Sequence, residues 1–248
     1  MHMRMLGRLW PVSVLALGGG GVGQLWGATT REECIATVRT AVERGITLLD
    51  MAPAYGNGEA ESVIGAAFEA SRVLVTGATG GVGYFVCQLA RLMGAHVTAL
   101  LRRRDQEALA KSLGVDETVV SRDGAGLDAV PKFRAIVDGV GGPTLGQVLT
   151  RLDDDGRAIL YGVSAGQQTT FAIRDLMLTG NGRVEGFYLT RDIQIERASK
   201  GLSRLLKLLA NGRLRTLVSI DADWSAVGES AARLMARDFT GKAVLRIV

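Results

Sequence analysis

Apolar positions along the chain switch repeatedly between short runs that suit a strand and three-and-four spacings that suit a helix. Val14-Leu-Ala-Leu-Gly18 belongs to an apolar run that begins near Leu9 and predicts a first strand. From Thr30 to Gly45 the pattern is helical: Thr30-Arg-Glu-Glu33 has the form of a capping box, Cys34, Val38, Ala41 and Val42 share one face, and Gly45 is the stop. A second strand is predicted over Thr47 to Leu49. Beyond residue 71 the alternation becomes regular. An apolar strand precedes a helix marked by Val82, Phe85, Val86, Leu89, Ala90 and Met93, Gly94 closes that helix, and His96-Val-Thr-Ala-Leu-Leu101 is again a strand. Leu145, Val148, Leu149 and Leu152 mark another helix, and Ala198, Leu202, Leu205, Leu206 and Leu209 a further one stopped at Asn211-Gly212. Strand and helix in turn predict an α/β fold, a doubly wound parallel sheet covered on both faces.

Composition agrees with a soluble core-forming chain: 47% of the 248 residues are hydrophobic, enough for one large α/β domain or two small ones. No segment is long enough to span a membrane. Arg4 and Arg8 before the run from Leu9 to Leu17 imitate a signal peptide, but Pro11 and Ser13 interrupt it, and the run is read as strand. Met1-His-Met3 has the look of a cloning remnant and is set aside. The net charge of +4 and pI near 9.3 raise the question of nucleic acid, yet the 29 basic residues are scattered without aromatic platforms, so no specific nucleic-acid partner is expected. Cys34 and Cys87 fall on helix faces predicted to be buried and have neither disulfide nor zinc-ligand spacing, which suits a reducing cytoplasm and predicts no metal site.

The most chemically specific stretch is Arg72-Val-Leu-Val-Thr76-Gly77-Ala-Thr79-Gly80-Gly81-Val82-Gly83, a strand entering a glycine-rich turn that opens a helix. In that context Gly77 lets the chain turn off the strand, Gly80 and Gly81 let backbone amides approach a phosphate, and Gly83 permits close helix packing. The following helix points its positive end at the same place. Such a turn binds a dinucleotide pyrophosphate, although a purely structural tight turn would use the same glycines. The second strand ends in Arg102, Arg103 and Arg104, where an acidic residue would select NAD; guanidinium groups suit a 2′-phosphate, so NADP(H) is the expected cofactor. Asp105 is expected as a helix N-cap.

From about Ser71 to Val248 the chain resembles the nucleotide-binding and C-terminal part of a medium-chain dehydrogenase/reductase of the zinc-free quinone oxidoreductase type. The resemblance rests on the glycine turn, Ala135-Ile-Val-Asp-Gly-Val-Gly-Gly142, Gly156-Arg-Ala-Ile-Leu-Tyr-Gly-Val-Ser164, Gly186-Phe-Tyr-Leu189 and Thr240-Gly-Lys-Ala-Val-Leu-Arg246. It implies a Rossmann-type domain in which the loops after the fourth, fifth and sixth strands line the nicotinamide, implicating Val140, Gly141, Gly162, Val163, Ser164, Phe187 and Leu189. It also implies that the sixth strand, near Val184 to Leu189, is an edge used for a homodimer. Leu214 to Ile220 and Ala243 to Val248 correspond to strands that pair, in that family, with a substrate domain for which this chain lacks the length. New partners are expected, either the strands of residues 12 to 49 or another subunit.

Residues 12 to 69 instead resemble the start of an aldo-keto reductase, on Val14-Leu-Ala-Leu-Gly18, Gly45-Ile-Thr-Leu-Leu-Asp50-Met-Ala-Pro-Ala-Tyr55-Gly-Asn-Gly-Glu59-Ala-Glu61 and Val63-Ile-Gly65. The match covers two of the eight units of that barrel. It implies catalytic roles for Asp50 and Tyr55, with tyrosine protonating a carbonyl oxygen. The family's lysine and histidine lie beyond the matching segment, and neither His2 nor His96 is placed to substitute. A strand-end aspartate and a half-buried aromatic account for the two residues equally well.

The expected organisation is therefore an aldo-keto reductase-like βαβα segment over 1–70, an NADP-binding domain over 71–212 and C-terminal strands over 213–248, joined near Ala70-Ser71 without a flexible linker. The expected activity is NADPH-dependent hydride transfer to a small carbonyl, quinone or activated alkene. Two alternatives stand beside it: a cofactor-binding module without turnover, and a fold chimera that retains neither function.

Overall fold

A computed structural model describes residues 1–7, 11–67, 71–195, 197–236 and 238–247. The structure forms two compact units, Met1–Ser71 with Ala90–His96, and Arg72–Leu89 with Val97–Val248. Leu9, Ala70 and Val248, named above as a strand start, the junction and a strand end, lie outside the described residues.

In the first unit β1 (Met3–Met5) pairs antiparallel with β2 (Pro11–Ser13), and β3 (Ala16–Gly18) begins after a bend. The single strand expected up to Leu17 is thus two short ones. Ser13 explains the break: its hydroxyl donates to the Leu15 carbonyl at 2.6 Å and accepts from the Thr47 amide at 3.0 Å, stabilising the bend that leaves Val14 and Leu15 exposed. Met3, set aside as a remnant, pairs with Ser13. After α1 (Gly19–Val22) and α2 (Arg31–Glu43), β4 (Leu48–Asp50) lies parallel to β3 with Leu17 opposite Leu49. The capping box forms as read, the Glu33 amide donating to Thr30 Oγ1 and the Thr30 amide to Glu33 Oε2 at 2.8 Å. Cys34 and Val38 of α2 are buried with Val22, Val63 and Ala67, the last two from α3 (Glu59–Ala67). Arg31 ion-pairs with Glu59 and donates to Ser62 Oγ at 2.9 Å, tying α2 to α3.

The second unit is built on β5 (Arg72–Thr76), which leads through the glycine turn into α4 (Gly83–Leu92) and then β6 (His96–Leu101). There follow α5 (Glu107–Ser112), β7 (Glu117–Val120), β8 (Phe133–Asp138), α6 (Gly142–Leu149), β9 (Leu152–Leu160), α7 (Ile173–Met177) and β10 (Arg183–Gly186). The six strands form one parallel sheet in the order β10-β9-β8-β5-β6-β7. Strand order reverses between β5 and β8, so a crevice opens at their carboxyl ends, where doubly wound sheets bind ligands. Leu74, Leu100, Phe133, Ile136, Val148 and Leu152 form the buried core beneath it. Leu152, expected to continue a helix, instead starts β9 opposite Phe133. Helix α6 ends earlier because Thr150 and Arg151 close a turn, the Arg151 amide donating to the Val148 carbonyl at 3.0 Å.

Helices α8 (Leu189–Ile195) and α9 (Ala198–Ala210) follow, and α9 stops at Asn211 as expected. The terminal strands, β11 (Val218–Asp223) and β12 (Lys242–Arg246), flank α10 (Val227–Met235). They pair in parallel with each other, and Arg246 clamps Asp221 with two hydrogen bonds of 2.8 and 2.6 Å. A two-stranded pair satisfies the facing ladder groups without a separate domain. Among the described residues no helix is long and apolar enough to cross a membrane.

Candidate functional site

Thr76, the last residue of β5, and Asp138, the last of β8, hold the crevice from beneath. Both are fully buried, and the Thr76 hydroxyl donates to Asp138 Oδ1 at 2.6 Å while accepting from the Gly139 amide at 3.1 Å. Asp138 Oδ2 accepts from the Gly141 amide at 2.8 Å and the Val140 amide at 3.3 Å. One carboxylate thereby organises the loop after the fourth strand of the sheet. The loop after β9 closes on it: Ala165 donates its amide to the Val140 carbonyl at 2.8 Å, and Ser164 Oγ donates to the Gly139 carbonyl at 3.1 Å. Tyr161 follows β9, and burial, reinforced by the negative charge of Asp138, pushes its hydroxyl up to about 12.

Above this floor is a cavity of about 330 Å³. Of the residues singled out from sequence, Gly77, Thr79, Gly80, Arg102, Val140 and Ser164 line it. Gly77 has φ +60°, a left-handed conformation that glycine adopts without strain, and its carbonyl accepts from the Gly80 amide at 2.8 Å to close the turn. A Cβ on Gly83 would strike the Gly77 carbonyl, so that glycine serves packing and does not face the cavity. Gly81 and Val82 lie on the turn outside the cavity lining, Val82 being half exposed. Gly141 and Gly162 shape the two loops, Gly141 at φ +66° beneath the Gly166 carbonyl and Gly162 against that of Gly139. Val163, Phe187 and Leu189 are exposed and absent from the lining. Arg103 is also absent, its Nε held by Asp105 at 3.0 Å. That pair replaces the capping role expected of Asp105, since the short turn Arg104–Gln106 has Arg103 at its N-cap.

Four polar lining residues escaped the sequence reading: Gln106, Ser121, Arg122 and Thr144. Gln106 Nε2 donates to Thr79 Oγ1 at 3.0 Å, linking the segment after β6 to the glycine turn. Ser121 and Arg122 follow β7 directly, so the signal available was their place after a strand of the same sheet. Arg102 and Arg122 bring two basic residues to the cavity lining.

Asp50 and Tyr55 belong to the first unit. Asp50 ends β4, paired with Gly18, and Tyr55 opens a short turn, Tyr55–Gly58. The two side chains make no hydrogen bond with each other, and the first unit contains no lysine. Gly19 and Gly23 leave room for the Tyr55 side chain, where a Cβ on either would come within about 3.0 Å of it.

Comparison with known proteins matches residues 81–207, just over half the chain, to the model of the zinc-binding dehydrogenase family, and residues 14–81 to that of the aldo/keto reductase family. The chain belongs to the zinc-binding dehydrogenase family, within its quinone oxidoreductase-like, medium-chain branch. A chloroplast envelope quinone oxidoreductase homolog from Arabidopsis thaliana is 26% identical over 246 residues, covering 94% of this chain and 71% of that protein. Aldo-keto reductase YhdN of Bacillus subtilis is 47% identical over 47 residues, 19% of this chain and 14% of its own. A mycobacterial protein solved in complex with NADPH has the same fold, with a TM-score of 0.61 at 22% identity over 71% of this chain and 58% of that one. The aldo-keto likeness thus spans a small part of its relative, and the solved structure is matched over little more than half its length.

The family name raises the question of zinc, and the residues present do not fit it. Among the described residues no three His, Cys, Asp or Glu side chains converge. Cys87 is fully buried and its thiol is pushed up to about 12 by burial, far from the thiolate a zinc ligand requires.

Proposed function

We propose that the chain is an NADPH-dependent oxidoreductase that binds NADP(H) in the crevice of its second unit and reduces a small carbonyl, quinone or activated alkene. The observation that carries this reading is the pairing of the Gly77–Gly80 part of the glycine turn with Arg102 and Arg122 around one cavity. The glycine turn opens a ten-residue helix and suits a pyrophosphate; two arginines, with no carboxylate lining the cavity, suit a 2′-phosphate. The mycobacterial protein of the same fold was solved with that nucleotide. When bound, NADPH supplies a hydride. The chain's own part is to orient it, which the Asp138 loop and the glycine turn accomplish by holding fixed backbone amides.

Tyr55 and Asp50 enter this reading, through the aldo-keto likeness, as proton donor and its partner. Tyr55→Phe is then expected to lower turnover while leaving NADPH affinity unchanged, and unaltered turnover removes Tyr55 from the reaction. The partner expected for the exposed edge at β10 is a second copy of the chain, and two buried free cysteines suit a reducing cytoplasm.

Fluorescence titration with NADPH and separately with NADH, followed by quinones, enones and aldehydes, tests the whole proposal. Tight NADPH binding with oxidation by one panel class supports it and assigns the substrate class. Binding without oxidation makes the chain a cofactor-binding module, and no binding reduces the glycine turn to a structural device.

A further inference from the structure

One cation beside the glycine turn is not used by the site as described. Lys242, first residue of β12, projects its ammonium against Gly81, where a Cβ would collide with Nζ and come within 3.1 Å of Cε. Among the described residues this ammonium has no carboxylate or hydrogen-bond partner. A lysine placed against the glycine turn, at the positive end of α4, has no carboxylate among the described residues to neutralise it and adds to a field that already favours an anion.

The surrounding structure holds the backbone of the exposed lysine in place. Gly241 has φ +110°, and a Cβ there would meet Leu217 and Ser219, so a side chain at 241 would push β12 off its partner. The Lys242 amide donates to the Leu217 carbonyl at 2.9 Å, and the Ser219 hydroxyl donates to the Thr240 carbonyl. This terminal segment is in turn anchored to α4 itself. Buried Gln88 donates from Nε2 to the Arg215 carbonyl at 3.1 Å and accepts from the Arg215 amide at 2.9 Å. The helix that begins at the glycine turn therefore also grips the strand pair that returns Lys242 to it.

We propose that Lys242 is a clamp on the cofactor's pyrophosphate, making the C-terminal strand pair part of the dinucleotide site. This rests on the reading that the crevice binds NADP(H). It assigns a division of labour: Arg102 and Arg122 face the 2′-phosphate end of the cavity, while Lys242 covers the diphosphate from the opposite side of the turn. Lys242 is a binding residue, with no part in hydride transfer.

The test measures dissociation constants of wild type, Lys242→Gln and Lys242→Arg for NADPH, NADH and 2′-AMP, the last carrying a 2′-phosphate but no diphosphate. Lys242→Gln is expected to weaken NADPH and NADH by the same factor, about tenfold. It should leave 2′-AMP unchanged and flatten the salt dependence of NADPH binding. Lys242→Arg should retain most of the affinity, and equal urea midpoints for the three proteins show that the fold is intact. Unchanged NADPH and NADH affinity in Lys242→Gln overturns the clamp and leaves the NADP(H) reading standing. An equal loss for 2′-AMP also overturns it, because the lysine would then act elsewhere than on the diphosphate. Failure of the wild type to bind NADPH overturns both.

Discussion

Three successive arginines end β6, and their neighbours separate their roles. Arg102 lines the cavity while Arg103 is held by Asp105, a distinction set by a three-residue turn that periodicity does not report. Arg122, which follows β7, lines the same cavity as Arg102 because β6 and β7 pair in the sheet. Arg102→Ala and Arg122→Ala are each expected to weaken NADPH about tenfold, about 1.4 kcal/mol, and to leave NADH nearly unchanged. Arg103→Ala should change neither. Isothermal titration distinguishes these outcomes, and equal losses for both nucleotides would remove the 2′-phosphate assignment. Tyr161 gives a prediction in pH. Its folded pKa is raised to about 12, above the ordinary tyrosine value of about 10, so between those values the folded state holds a proton that the unfolded state has released. Its contribution to stability is intact below about pH 10 and is lost as pH rises towards about 12. Tyr161→Phe should therefore lose less stability between pH 9 and 11.5 than wild type in urea unfolding. Parallel curves would show that Tyr161 does not carry the effect.

Among the elements, those written in local sequence were legible and those depending on distant pairing were not. The capping box at Thr30, the apolar face of α4 and the stop at Asn211 are each set by residues within a turn or two of one another. The sheet order, the pairing of β11 with β12 and the start of β9 at Leu152 depend on which strand lies alongside, information that no window of sequence holds. The same division runs through the cofactor site. Gly77, Thr79 and Gly80 were readable as a motif, whereas the support beneath them, Thr76 bonded to Asp138 across 62 positions, was not. That support should be measurable. Removing the Asp138 carboxylate by Asp138→Ala leaves the Thr76 hydroxyl and the Gly141 amide unsatisfied in a buried place, at about 1–3 kcal/mol for each such group. A loss of about 3 kcal/mol with weakened NADPH binding is expected, read from urea midpoints and titration. Gly83→Ala makes a parallel case, since its Cβ would force the Gly77 carbonyl aside; it should cost about 1–3 kcal/mol.

Across the whole molecule, a segment similar to the aldo/keto reductase family precedes a Rossmann-type unit, and the terminal strands pair with each other. One end of the main sheet is an open edge. Among the described residues strand β10 pairs only with β9, so one row of its peptide groups faces outward, with Val184, Phe187 and Tyr188 exposed along or just beyond it. Its charged residues, Arg183 and Glu185, do not protect the edge as fully as lysines would, since Glu185 lies only 4.0 Å from Arg157 on the neighbouring strand. A second copy related by a two-fold axis would extend the sheet across this edge and cover the apolar side chains with their own counterparts. Sedimentation velocity should accordingly show a dimer. Val184→Lys should shift it to monomer at the same protein concentration, because the charge would be buried opposite its own image. A wild-type monomer at tens of micromolar, or a Val184→Lys dimer as stable as wild type, would place the association elsewhere or nowhere. The cofactor site should be indifferent to that outcome: the residues proposed to hold NADP(H), from Gly77 to Lys242, all come from one chain, so NADPH affinity should be the same in monomer and dimer.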